Sequence, residues 1–194
     1  MAHLDPLPHD LNSDLKDKFD HYKNTRGFIP NSILTMQRRP EIARAFMGLN
    51  QAILYEGTVS EELKMLISLI ASQAAGCRYC QAHMANLASI YQASKEKIMA
   101  VWEWETSALF SDAEKAALTL AYHASVLPNE ASEKDFEILA LYFSDSEVVE
   151  IVASVALFGY LNRWNDTMAT DLEALPKEKA SHLLNQVGWT AGKH

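Results

Sequence analysis

The stretch Gly76-Cys77-Arg78-Tyr79-Cys80-Gln81-Ala82-His83 decides the reading of this chain. It holds both cysteines, three positions apart, and a histidine follows three positions later. The run before it, Leu63 to Ala74, has apolar residues at 63, 66, 67, 70, 71 and 74. That spacing is the period of a helix with one buried stripe. Gly76 can take the positive φ that ends a helix. Ala82, Ala85, Leu87, Ala88 and Tyr91 follow with no Pro or Gly between them, so a second helix is predicted to start at Cys77. Both cysteines then fall in its first turn, among unsatisfied N–H groups at the positive end of the macrodipole. This placement predicts a lowered thiol pKa and a reactive thiolate. Positions 77, 80 and 83 are helix neighbours. His83 is thus placed to take a proton from Cys80 or to stabilise its thiolate.

The rest of the composition narrows the class. The 194 residues suit one domain, and hydrophobic residues make up 48%, ample for a core. Seven glycines and six prolines favour helices over turn-rich sheet. A net charge of −8 argues against nucleic acid or an anionic membrane as partner. The first residues lack a basic and then apolar leader, and no apolar run reaches membrane-spanning length. With both cysteines in one motif there is no long-range structural disulfide, and a cytoplasmic protein is expected.

In chain order, an extended arm at 1–9 precedes a helix over 10–25 that ends near Gly27. Short and long helices follow over 30–37 and 40–55. Ser60 caps the helix into the motif and Ser94 caps another. Ser111-Asp112-Ala113-Glu114 and Ser144-Asp145-Ser146-Glu147 are capping boxes. Helices are also expected over 132–142 and 177–187. No alternating strand pattern stands out, so the predicted fold is all-α. The divisions are an arm and helix (1–25), a core (26–175) and a C-terminal helix and tail (176–194).

A shift of 85 residues lays the motif region over 147–172. Glu62 falls on Glu147, Arg78 on Arg163, Tyr79 on Trp164, and Cys77 and Cys80 on Asn162 and Asn165. This suggests two pseudo-repeated helical halves, one reactive and one structural. In that register Asn165 and Asp166 bring polar groups into an otherwise apolar region, as a buried network, a subunit contact or part of the site.

The residues Cys77-Arg78-Tyr79-Cys80-Gln81-Ala82-His83, preceded by Glu62-Leu63-Lys64, resemble the carboxymuconolactone decarboxylase superfamily, in its alkylhydroperoxidase-D-like, peroxidase-related branch. Leu157 to Ala169 and Gly27-Phe28-Ile29-Pro30-Asn31 add to the likeness. The resemblance implies an all-α fold, assembly as a trimer or hexamer, and reduction of a peroxide without a bound cofactor. It implies that Cys80 attacks the peroxide, that Cys77 resolves the sulfenic acid to a disulfide, and that an external dithiol or redox protein restores the pair. It also implies a proton relay through a histidine and an upstream glutamate. Here the histidine comes three residues after the second cysteine instead of four, and Met65 stands where the relay glutamate usually lies. Glu62, one turn earlier, and Glu150, at the pseudo-equivalent position, are the replacement candidates, with Tyr79 as a further site residue. Three other readings stand beside this one. They are a lyase acting on a small carboxylated lactone, a non-enzymatic redox-sensing oligomer, and a zinc site lacking a recognisable fourth ligand.

Overall fold

A computed structural model describes residues 2–192. Among them every regular element is helical. The 3-10 turn Ser13–Leu15 leads into α1 (Lys16–Arg26), followed by α2 (Asn31–Met36), α3 (Pro40–Leu54), α4 (Glu61–Ala74) and α5 (Arg78–Ile90). Then come α6 (Lys95–Met99), a 3-10 turn (Val101–Glu103), α7 (Asp112–His123), α8 (Glu133–Leu139), α9 (Asp145–Met168) and α10 (Ala174–Leu183). A last 3-10 turn spans Asn185–Val187.

Local chemistry sets most of the starts. The hydroxyls of Ser60, Ser94, Ser111 and Ser144 each accept from the backbone N–H three residues on. Ser111 with Glu114 and Ser144 with Glu147 are reciprocal capping boxes, as predicted. The last α-helix starts at Ala174, not 177, because Glu173 is its extended N-cap and Pro176 fits the first turn.

The centre of the fold is α4. Every residue from Leu63 to Ser72 is buried, where periodicity predicted a single buried stripe. The reason is that α5, α7 and α9 all pack around it. Fully burying each of Leu66, Ile67 and Ile70 contributes roughly 1.5–3 kcal/mol. Polar groups in this shell are paired, within α4 or across to α9. Ser68 and Ser72 bond the carbonyls four residues back. The Lys64 ammonium, fully buried, pairs with Glu150 at 2.8 Å.

The break after α4 shapes the site. Gly76 adopts φ +74°. Its N–H bonds Gln73 O (2.8 Å) and the Cys77 N–H bonds Ser72 O (3.0 Å), a Schellman closure. The chain then reverses, and α5 runs back against α4. Under the 85-residue shift, this hairpin falls on α9, which is one uninterrupted helix. The likeness of sequence is therefore not a likeness of chain path beyond Gly76.

Candidate functional site

Cys77 is the N-cap of α5 and Cys80 is the third residue of its first turn, the placement predicted from sequence. Both are reduced and almost fully buried, at 0% and 2% exposure. Burial pushes the Cys80 thiol well above the usual thiol range. The adjoining Cys77 thiol and the charge of Asp166 push it the same way, and only an N–H from Asn165 opposes them. This corrects the predicted lowering at the helix start. A helix end contributes roughly 0.3–1 kcal/mol, and withdrawing a thiolate from water costs more.

Asn165 comes to Cys80 from α9. Its Nδ2 donates to Cys80 Sγ at 3.4 Å and to Leu161 O at 3.0 Å, and its buried Oδ1 has no partner among the described residues. Asn162, one turn earlier, donates to Ala71 O at 3.3 Å and holds α9 on α4.

His83 lies one turn beyond Cys80. Its ring stacks on Tyr79, with centroids 4.3 Å apart, and meets Phe28 edge-on. Its Nε2 lies 2.7 Å from Oε2 of Glu173, which comes from the segment before α10. A carboxylate only accepts, so Nε2 carries the proton and Nδ1 remains for proton exchange. Oε1 of Glu173 accepts from the Tyr79 hydroxyl at 2.9 Å and from the Asn31 N–H. Burial would raise the Glu173 carboxyl, but the charge and hydrogen bond of His83 and the Asn31 N–H hold it below the usual carboxylate range.

The other carboxylate candidates lie elsewhere. Glu62 pairs with Lys97 at 2.9 Å, beside Glu114. It is ten residues before Ser72, the α4 residue bonded to Cys77, and so about 15 Å away along the helix. Glu150 bonds the N–H groups of Thr58 and Val59 and pairs with Lys64. It lies so close to Gly57 that a Cβ there would come within 2.3 Å of its carboxyl group. Both serve the fold, away from the cysteines. Tyr79 and Asn165 are at the site, while Asp166 influences Cys80 by charge. The residue that sequence reasoning missed is Glu173. Glu173-Ala174-Leu175-Pro176 marks a helix start, but its reach to His83, 90 residues away, belongs to the tertiary fold.

A cavity of about 30 Å³ opens beside Cys80 and His83, walled by Tyr22, Phe46, Leu54 and Phe158. That is room for one or two waters. Among the described residues no cluster of three or more His, Cys, Asp or Glu side chains could hold a metal ion, and no helix is long and apolar enough to cross a membrane.

Fold and site together define an all-α protein with a buried Cys-x-x-Cys pair and a histidine–carboxylate dyad beside it. The pattern of the carboxymuconolactone decarboxylase family matches residues 40–123. The structure of the debrominase Bmp8 is 36% identical, with a TM-score of 0.87 over 93% of this chain and 97% of that one. Its C82A variant in complex with 2,3,4-tribromopyrrole gives 0.88 at the same identity, over 94% and 98%. An uncharacterised peroxidase-related protein from Ralstonia eutropha JMP134, described as an alkylhydroperoxidase AhpD core, is 25% identical with a TM-score of 0.75, over 90% and 96%. The uncharacterised Escherichia coli K12 protein YnjA is 29% identical over 113 residues, which span 58% of this chain and 62% of that protein. The chain belongs to the carboxymuconolactone decarboxylase family, in its AhpD-like branch.

Proposed function

We propose that this protein is a thiol-dependent peroxidase that reduces a small peroxide with the Cys77–Cys80 pair. The observation that carries the reading is the water-sized cavity shared by Cys80 and His83, with the His83 ring held by Glu173. A cavity of that size suits an O–O group better than a ring.

The buried Cys80 thiol is neutral at rest and needs a base. His83 Nδ1 takes its proton as peroxide enters, and the Asn165 N–H stabilises the thiolate. The sulfur attacks one peroxide oxygen, the O–O bond breaks, and the leaving oxygen takes the proton back from His83. Cys80 is then a sulfenic acid. Cys77 attacks its sulfur, the S–S bond forms, and the hydroxyl leaves as water with the Cys77 proton. Two electrons have passed to the peroxide, and an external thiol reductant restores the pair.

A second reading is halogen abstraction from a small aromatic ring. The near full-length likeness to Bmp8 favours it, and the aromatic wall of the cavity suits a ring once the cavity widens. Steady-state turnover with dithiothreitol as reductant separates the two, using hydrogen peroxide in one arm and 2,3,4-tribromopyrrole in the other. Peroxide consumption lost in Cys80→Ser supports the peroxidase. Bromide release that depends on Cys80, without peroxide turnover, replaces it with the second reading.

A further inference from the structure

A second cavity, of about 400 Å³, adjoins the first. Tyr79 and Asn165 line both, so these two side chains form the partition between them. The volume falls within the range of small-ligand pockets. Unlike the aromatic chamber it is polar, with Lys177, Asp171 and Thr170 among its walls. The Thr170 hydroxyl and Asn165 Oδ1 lie buried behind these walls, with no partner among the described residues. Ala191 and Gly192 also line the cavity. That segment is fastened to the redox motif itself: the Trp189 indole N–H donates to Arg78 O at 3.2 Å, and the Arg78 guanidinium bonds Thr190.

We propose that this cavity is the port through which the Cys77–Cys80 disulfide is reduced, and that it takes a low-molecular-weight thiol of amino-acid type. Lys177 would face a ligand carboxylate and Asp171 a ligand ammonium. The proposal rests on the redox role of the Cys pair but not on which substrate oxidises it. The thiolate passes Tyr79 and Asn165 and attacks Cys80 Sγ. The S–S bond breaks and Cys77 leaves as a thiolate that takes the proton of the incoming thiol. A second thiol attacks the mixed disulfide, freeing Cys80 with its proton and releasing the oxidised thiol dimer. One disulfide and two thiols thus become a dithiol and one disulfide.

The test uses the full chain oxidised with diamide, so that the reductive step is read independently of peroxide. Reappearance of protein thiols is followed with glutathione and, separately, with uncharged 2-mercaptoethanol. Lys177→Glu, on the exposed rim and outside the thiol machinery, should slow reduction by glutathione about fivefold. Reduction by 2-mercaptoethanol and the rate of oxidation should not change. Equal rates in wild type and variant with glutathione, equal slowing with both thiols, or reduction by a protein dithiol with none by glutathione would overturn the port alone. A protein that keeps both thiols under diamide overturns the port together with the redox reading of the pair.

Discussion

Two regions that share a sequence register behave in opposite ways. In the hairpin of α4 and α5, Gly76 ends one helix and Cys77 opens the next, so the cysteines stand at a helix start. In α9 the corresponding Asn162 and Asn165 lie inside a continuous helix. The two regions then pack together, and Asn165 is the residue that touches Cys80. The difference teaches that the break makes the chemistry. The interrupted region supplies sulfur atoms at a helix start, and the continuous one supplies a wall with an amide aimed at the thiol.

Substitutions can break or sharpen this contrast. The largest effect is expected from His83→Gln, which removes the proposed base for Cys80. Peroxide turnover near neutral pH should fall roughly 10²–10⁴-fold, the usual worth of general acid–base help, with the circular dichroism spectrum unchanged. A smaller effect follows on the α9 side. Asn165→Leu removes an N–H that favours the Cys80 thiolate, so iodoacetamide alkylation of Cys80 in a Cys77→Ser background should slow about tenfold at pH 7. Thermal stability should hold or rise, because the buried Oδ1 had no partner. Asn162→Ala should do the reverse, costing about 1 kcal/mol of stability in urea unfolding and leaving the alkylation rate unchanged.

Glu173 gives a pH signature. Its folded pKa lies below its unfolded value. The carboxylate therefore stabilises the fold above about pH 4.3, and that contribution is lost as the pH falls through the folded value. Urea unfolding across this range should show wild type losing more stability on acidification than Glu173→Gln.

What the sequence disclosed was local. The thiol pair, its histidine, the Gly76 break and the serine caps are each written within a few residues of one another. The 85-residue shift set Cys80 and Asn165 at corresponding positions but did not say that they touch; that contact comes from the packing of α9 on the α4–α5 hairpin. The rest depends on distance and depth. Nothing near His83 names Glu173, and nothing near Glu62 shows that Lys97 holds it. The raised Cys80 pKa comes from burial under helices far away in the chain, which no helix-dipole argument at residue 77 contains.

The central claim is that Cys80 and Cys77 are oxidised together by substrate. Trypsin cuts after Arg78, between the two cysteines. Mass spectrometry of a tryptic digest, taken after one equivalent of hydrogen peroxide and alkylation of the remaining thiols, therefore reads the pair directly. Peptides 65–78 and 79–95 should be joined by a disulfide and should separate on reduction. Folded protein that yields both peptides singly, each alkylated, would contradict it.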